Sequence, residues 1–142
     1  MLEQESQADE NMDGKGCTAN VCLIVPRKDG TRDVYCANAG DSRALLSSGG
    51  KALALSFDHK PTNPRERQRI TKAGSYVNAE GRIEGNLNLS RAIGDLEYKK
   101  RPRLRLQDQP ITSLPDVKKV TLGPTSDFLV MGCDGIYEFH NN

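Results

Sequence analysis

Tryptophan is absent from this 142-residue sequence, and aromatic residues make up only 5% of it. No apolar run approaches the roughly 20 residues that a membrane-spanning helix needs. The first residues, up to Asp13, are acidic and contain no apolar stretch, so they do not resemble a secretory signal peptide. We therefore expect a soluble intracellular protein, cytoplasmic or nuclear, with no membrane partner.

The sequence also lacks an excess of charge of either sign. Twenty Lys and Arg residues oppose nineteen Asp and Glu residues, which leaves a net charge of +1. A dedicated nucleic-acid-binding domain is usually strongly basic, so we expect no nucleic-acid partner. One basic loop, Lys99–Arg105 (KKRPRLR), leaves nucleic-acid binding open as a weaker hypothesis.

Cysteine pairs with metal-binding spacing are absent as well. Cys17, Cys22, Cys36 and Cys133 include no C-x-x-C motif. The last three lie in apolar, strand-like runs, where a free cysteine behaves as a small buried hydrophobic residue. Because no secretory feature is present, we expect all four to be reduced, structural thiols.

What the sequence does contain is a series of short apolar runs separated by glycine turns. The pattern predicts strands over Thr18–Val25, Asp33–Ala39, Arg43–Ser47, Lys51–Leu55, Val117–Leu122 and Phe128–Cys133. Tight glycine turns connect the first four of these runs, so we predict that they form an antiparallel meander. The last residues, Gly135–Asn142, are predicted to begin a helical element.

A short basic helix is predicted between the two groups of strands. Asn63 is a typical N-cap, and Glu66 three residues later completes a capping box. Gly74 fits the position after the last turn, which gives a helix over Pro64–Ala73. Few of its side chains are apolar, so we expect the helix to lie on a surface.

The basic residues of this helix allow two interpretations. They are Arg65, Arg67, Arg69 and Lys72. They can contact an acidic partner or a phosphate-bearing substrate, but a solvated helix face also explains them. The near-neutral charge of the whole chain favours the solvated face for the individual residues.

Two aspartates share a context that suits a metal ligand. Asp41 and Asp134 each follow an apolar strand and have a glycine beside them. A carboxylate at such a turn can point into a cleft rimmed by strand ends, and Mg²⁺ and Mn²⁺ prefer oxygen ligands of this kind. Asp-Gly and Gly-Asp are also common turn pairs without a ligand role, so spacing alone leaves both interpretations open.

Other catalytic motifs do not fit the sequence. A phosphate-binding P-loop ending at Gly50-Lys51 would need glycine at position 45, which is leucine. Cys36 and Arg43 are one residue too far apart for a tyrosine-phosphatase loop. No G-x-S-x-G elbow is present, and His59 is more typical of a turn residue than of a general base.

Seven further short motifs follow one another along the chain. They are Gly16–Ala19 (GCTA), Ala37–Ala44 (ANAGDSRA), Asp58–Pro61 (DHKP), Gly81–Gly85 (GRIEG), Leu89–Asp95 (LSRAIGD), Leu114–Val117 (LPDV) and Asp127–Glu138 (DFLVMGCDGIYE). Each motif alone is weak. Taken in this order, the set makes the chain resemble the central to C-terminal part of the catalytic domain of the type 2C metal-dependent serine/threonine protein phosphatases.

The resemblance implies an α+β fold, an incomplete part of an antiparallel β-sandwich with outer helices. It also implies a binuclear Mg²⁺ or Mn²⁺ site, at which a metal-bridged water attacks the phosphorus of a phosphoserine or phosphothreonine in a phosphoprotein substrate. Asp134 matches the metal-binding aspartate of the family's Ser-Asp-Gly motif, with Cys133 in the serine position. Asp41 matches the Gly-Asp-Ser-Arg aspartate, which serves an additional, weaker metal site.

The resemblance also divides the chain into three segments. Residues 1–15 are expected to be a flexible acidic leader, residues 16–142 a partial catalytic domain, and residues 58–80 its flap-like segment beside the active site. The family's phosphate-clamping arginine, its Asp-Gly-His-Gly-Gly motif and its late Asp-Asn motif have no match in the sequence. We therefore assign no catalytic residue, and we expect this chain alone to be inactive or nearly so.

An incomplete domain leads to one further expectation, and one alternative function stays open. Its strands would lack some of their usual neighbours, so we expect the chain to self-associate. The alternative to a phosphatase is a phosphatase-like binding or regulatory module that keeps the fold without the chemistry.

Overall fold

The strands of the protein form three antiparallel sheets in the computed structural model, which describes residues 13–137. The strands are β1 (Gly16–Cys17), β2 (Ala19–Pro26), β3 (Arg32–Ala39), β4 (Arg43–Ser48), β5 (Lys51–Ala54), β6 (Ile93–Gly94), β7 (Asp116–Leu122) and β8 (Ser126–Gly132). The helices are α1 (Pro64–Lys72) and α2 (Asp134–Tyr137), and 3₁₀ turns cover Leu96–Lys99 and Leu106–Asp108. Most of the predicted leader, residues 1–12, and residues 138–142 of the predicted last element lie outside the described residues.

The six strands predicted from the sequence are all present, but the predicted meander is wrong. β3 pairs with β2 and β7, whereas β4 pairs with β5 and β8. The chain therefore crosses from one sheet to the other between Ala39 and Arg43. Gly40 makes this crossing possible, because its φ of +121° and its close approach to Thr18 leave no room for a side chain.

The two three-stranded sheets pack against each other through a shared apolar core. Val34 and Cys36 of β3 contact Ala44 and Leu46 of β4, and Leu55 completes the cluster just after β5. Strand alternation places every second side chain of each strand on this inner face. The arrangement confirms the expected partial β-sandwich.

A second core holds helix α1 against the loops that follow it. Ile70 of the helix packs with Ile83, Ala92, Tyr98 and Ile111, and all five side chains are buried. Most other side chains of the helix are exposed. The helix therefore lies on a surface, as expected from its composition, and Ile70 is its apolar anchor.

The ends of α1 agree only partly with the sequence signals. Gly74, with a φ of +79°, follows the helix as expected, and the Ser75 amide donates to the Ile70 carbonyl at 3.1 Å. The capping box is wrong, because the Asn63 side chain makes no cap hydrogen bond and instead donates to the Asp58 carbonyl at 2.7 Å. Glu66 is buried in a separate ionic cluster.

All four cysteines are free. Cys36 is buried as expected, and its burial, together with the neighbouring Cys22, raises the pKa of its thiol to about 12. The expectation of a buried Cys133 is wrong, because this residue follows the last strand and is exposed. Across residues 13–137, no helix has the length and apolar character needed to cross a membrane.

Candidate functional site

Asp41 and Asp134 leave their strands at the same end of one sheet. β4 begins two residues after Asp41, and β8 ends two residues before Asp134. Arg43 of β4 is paired directly with Gly132 of β8 in this antiparallel sheet. The register therefore brings both aspartates to one edge, which we call the carboxylate edge.

The two carboxylates have different surroundings. Asp134 is half-buried, and its Oδ1 accepts a hydrogen bond from the Gly135 amide at 2.9 Å. Asp41 is only 3% exposed, and its Oδ2 forms an ion pair with the Lys60 ammonium group. A buried carboxylate needs such a partner, because an unpaired charge away from water is costly.

Lys60 belongs to a short segment, residues 57–60, that is fastened to the turn carrying Asp41. The His59 amide donates to the Gly40 carbonyl at 3.0 Å, and the Gly40 amide donates to His59 Nδ1 at 3.1 Å. Asn38 Nδ2 donates to the Phe57 carbonyl at 3.0 Å. These bonds explain how a segment without regular structure keeps a fixed position beside the carboxylate edge.

An ion pair strengthens this attachment. Arg43 donates to Asp58 through Nε at 2.7 Å and through Nη2 at 3.1 Å, a fork that fits a carboxylate well. The Arg43 guanidinium also lies 5.0 Å from the centre of the Tyr137 ring, at the start of the chain beyond β8. Arg43 therefore links the 57–60 segment to both strands of the carboxylate edge.

His59 has a structural position that the sequence did not indicate. Its ring is buried, and because Nδ1 accepts from Gly40, the ring proton lies on Nε2, which donates to Asp116 Oδ2 at 3.2 Å. Burial and the nearby charge of Arg91 lower the pKa of His59, against the opposing effect of Asp116. A neutral imidazole here orients the Gly40 turn.

Next to His59 lies an ionic cluster that we call the Glu66 cluster, made of Glu66, Arg69, Ser90, Arg91 and Asp116; its members are largely buried except Asp116, whose side chain is 48% exposed. Glu66 pairs with Arg91 at 2.6 Å and with Arg69 at 2.6 Å, and it accepts from the Ser90 hydroxyl at 2.7 Å. Arg91 continues to Asp116 at 2.8 Å. The cluster joins helix α1 to the start of β7 and, through Asp116, to His59.

The Glu66 cluster corrects the interpretation of the helix as a uniformly solvated basic face. Arg65, Arg67 and Lys72 are exposed as expected, but Arg69 is mostly buried and donates to the Ser90 and Gln109 carbonyls. The available signal in the sequence was Glu66 itself, the only acidic residue of the helix. Its spacing from Asn63 suggested a cap instead.

A basic groove of about 510 Å³ runs along the outer side of the helix. Arg65 and Lys72 line one wall, and Leu104 and Asp108 belong to the opposite loop. Of the Lys99–Arg105 loop, Leu104 lines this groove. The basic residues of the helix make this groove a surface that can receive an anionic group.

The residues of the carboxylate edge fit part of a metal site. Asp41 and Asp134 supply the oxygen ligands that Mg²⁺ and Mn²⁺ prefer. In the part of the chain from 13 to 137, however, no group of three or more His, Cys, Asp or Glu side chains is arranged to hold a metal ion. The described residues therefore provide at most two carboxylates, one of them paired with Lys60.

Comparisons with known proteins agree with this fold. A family model described as Protein phosphatase 2C matches residues 1–142. The chain is 50% identical over 141 residues to "Probable protein phosphatase 2C 2" of Paramecium tetraurelia, covering 99% of this chain and 45% of that protein. It is 48% identical over 130 residues to "Protein phosphatase 2C homolog 2" of Schizosaccharomyces pombe, covering 92% of this chain and 34% of that protein.

Solved structures show the same similarity. The structure titled "Crystal structure of a phosphatase from a pathogenic strain Toxoplasma gondii" matches with a TM-score of 0.70 and 40% identity, over 76% of this chain and 33% of that one. The chain belongs to the protein phosphatase 2C family, whose members are metal-dependent protein serine/threonine phosphatases. It spans less than half the length of the relatives that it matches.

Proposed function

We propose that the complete protein hydrolyses phosphoserine and phosphothreonine in phosphoproteins, and that this chain supplies the carboxylate edge of its active site. The observation that carries the proposal is the β4–β8 register, which brings Asp41 and Asp134 to one sheet edge in a chain of this family. Bound Mg²⁺ or Mn²⁺ would supply an activated water and offset charge on the phosphoryl oxygens.

We assign the two aspartates different roles as metal ligands. Asp134 is half-buried, its Oδ1 accepts from the Gly135 amide, and it forms no ion pair within residues 13–137, so we assign its Oδ2 to a cation. Asp41 is already ion-paired with Lys60, and we assign it to the weaker, additional metal site. Two carboxylates are too few for tight binuclear binding, so we expect this chain alone to have little or no hydrolytic activity.

The test is phosphate release from a phosphothreonine peptide, combined with direct Mn²⁺ binding. The chain is compared with Asp134→Ala and with Asp108→Ala, whose exposed carboxylate is paired with Arg105. We expect Mn²⁺ binding that Asp134→Ala weakens and Asp108→Ala leaves unchanged, and no release above a chelator control. Equal Mn²⁺ binding in Asp134→Ala would refute the ligand assignment.

Activity of the chain itself would correct a different part of the proposal. Release that needs both metal and Asp134 would mean that these 142 residues form a working site, and the expected inactivity would be wrong. Phosphate release that is unchanged by chelator and by Asp134→Ala would refute the metal mechanism.

A second candidate function is a non-catalytic binding or regulatory module. It is supported by the Lys60–Asp41 ion pair and by the small number of candidate ligands among residues 13–137. This module would be favoured over the enzyme if the protein bound a phosphopeptide but no longer form of it hydrolysed that peptide.

We further propose that the flap-like segment, residues 58–80, contributes to substrate choice through the basic groove. Arg65 and Lys72 line this groove and are exposed; Arg65 also pairs with Asp116 at 3.3 Å, so Lys72 is the more available to acidic residues around a phosphorylated site. We also propose a reducing, intracellular location, cytoplasmic or nuclear, which four free cysteines support.

A further inference from the structure

The buried carboxylate of Asp41 already has a cation, the ammonium group of Lys60. The Asp41 side chain is 4% exposed, whereas that of Lys60 is 33% exposed. The ion pair uses Oδ2 of Asp41. Lys60 is thus the more exposed partner of the pair, and the carboxylate of Asp41 is almost closed to solvent.

The position of Lys60 is fixed by the backbone that carries it. Residue 59 exchanges two hydrogen bonds with Gly40, directly before Asp41. Asp58 is held by the fork of Arg43, and the residue after Lys60, Pro61, is fully buried. The Lys60 ammonium is therefore presented to Asp41 by a segment anchored on both sides.

We propose that Lys60 is an internal counter-ion that closes Asp41 to divalent cations, and that a cation binds this carboxylate only by displacing the Lys60 ammonium. The proposal deepens the proposed function, on which it rests, by naming what regulates the weaker metal site. The physical reason is charge. An ammonium group in contact with a carboxylate repels Mg²⁺ or Mn²⁺, and it occupies the carboxylate oxygen that the cation would bind.

The displacement needs only a side-chain movement. The anchors of the 57–60 segment are the Asn38–Phe57, Gly40–His59 and Arg43–Asp58 contacts, and none of them uses the Lys60 side chain. The Lys60 side chain as a whole is already one-third exposed. Releasing it can therefore leave the segment in place while Asp41 exchanges one cation for another.

The two events are linked and reciprocal. If Lys60 weakens cation binding at Asp41 by some factor, a bound cation weakens the Lys60–Asp41 pair by the same factor. Removing the Lys60 charge should therefore strengthen Mn²⁺ binding at Asp41, and keeping the charge in a different side chain should not.

The experiment titrates the 142-residue chain with Mn²⁺ and follows free Mn²⁺ by electron paramagnetic resonance. Lys60→Gln and Lys60→Met remove the charge, and Lys60→Arg is the matched control that retains it. All are made in an Asp134→Ala background, which isolates Asp41. We expect roughly 5- to 150-fold tighter Mn²⁺ binding in the uncharged variants, a range typical of coupled sites.

The gain must also depend on Asp41. Adding Asp41→Asn to Lys60→Gln should abolish it, while Lys60→Arg should bind as weakly as its parent. Equal Mn²⁺ affinity in all the Lys60 variants would overturn the proposal. Because hydrolysis is not measured, a failed phosphatase assay leaves this result interpretable, and a failed titration leaves the assignment of Asp134 untouched.

A measurement on the unaltered chain covers the case in which an uncharged variant does not fold. The Nζ resonance of Lys60, assigned by its loss in Lys60→Arg, is followed by NMR as Mg²⁺ is added. We expect it to move toward the position of a solvated lysine together with the Asp41 amide resonance. A Lys60 signal that stays unchanged at high Mg²⁺ contradicts displacement.

Discussion

Glu66 shows at the scale of one residue how this protein keeps a charge inside. Both carboxylate oxygens are used: Arg91 bonds both of them, and Arg69 and Ser90 bond Oε2. Such a cluster is stable only while each charge has its partner. Removing one member therefore costs more than the net value of any single pair.

Glu66→Ala is expected to destabilise the protein by about 3–5 kcal/mol, because it leaves the buried charges of Arg69 and Arg91 without their common partner. Chemical denaturation of the variant and of the parent gives the difference in the free energy of unfolding. Glu80→Ala is the control, since Glu80 is exposed, and it should change stability by less than about 0.5 kcal/mol. Equal losses in the two variants would contradict a special role for Glu66.

The same residue predicts a pH dependence. Burial raises the pKa of Glu66, but the Arg91 hydrogen bond, the charge of Arg69 and the Ser90 hydroxyl outweigh it and bring the pKa to about 2. Because this lies below the ordinary value of 4.5, the ionised group stabilises the fold above about pH 4.5. This contribution, on the order of 3 kcal/mol, is lost as the pH falls toward 2.

Glu66→Gln isolates this contribution from the other carboxylates, which titrate in both proteins. We expect the difference in unfolding free energy between parent and variant to be largest near neutral pH and to shrink steadily below pH 4.5. Denaturation series at several pH values measure it. A difference that stays constant down to pH 2 would show that Glu66 is not ionised in the fold.

At the scale of elements, the sequence predicts the strands well and their assignment to sheets badly. Alternating apolar runs and glycine turns locate the strands to within two residues, because both signals are local. Whether β4 lies beside β3 or faces it across a core is decided by contacts with β7 and β8, about 70 or more residues further along the chain. No local pattern contains that information.

Gly40 is the residue on which the crossing between the sheets depends. A Cβ built there would lie 2.3 Å from Thr18 Cγ2 and 3.1 Å from the Arg91 carbonyl, at a φ of +121°. Backbone strain alone should therefore make Gly40→Ala less stable by about 1–3 kcal/mol. The clash with Thr18 should add a further loss of stability. Gly30→Ala is the matched control: its φ is +83°, but nothing lies within 4 Å of the added atom.

The difference between these two variants separates crowding from backbone strain. We expect Gly40→Ala to lower the thermal midpoint clearly more than Gly30→Ala does. A Gly40→Ala protein as stable as the Gly30→Ala protein would mean that the crossing tolerates a side chain, and the tight packing of Thr18 against this turn would be wrong.

At the scale of the whole molecule, the candidate site could be predicted only in part. Asp41 and Asp134 were identified because each stands at a glycine turn inside a recognisable motif. The ion pair of Asp41 with Lys60 and the contacts of Glu66 with Ser90 and Arg91 were not predicted, because they join residues 19 or more positions apart. A lysine or arginine looks solvated in a sequence until its burial is known.

Self-association of the chain remains a prediction, and the outer face of the β2–β3–β7 sheet is the surface on which we expect it. Val21, Ala37 and Val117 stand side by side across the three strands, on the face opposite to the core residue Cys36. Val21 is 59% exposed, Leu23 60% and Val117 63%. An apolar row of this kind on an exposed sheet face, with β2 at an edge of the sheet within residues 13–137, is typical of an interaction surface.

We expect the average mass of the chain, measured by sedimentation equilibrium, to rise with protein concentration. Changing Val21 and Leu23 to lysine should abolish the rise, because two charges on the outer face make its burial unfavourable without touching the core. Leu106→Lys is the control: Leu106 is 77% exposed but lies in a 3₁₀ turn away from the sheet, so this variant should associate like its parent. A parent chain that stays monomeric at all concentrations refutes the prediction, and association unaffected by the double change would place the contact on another surface.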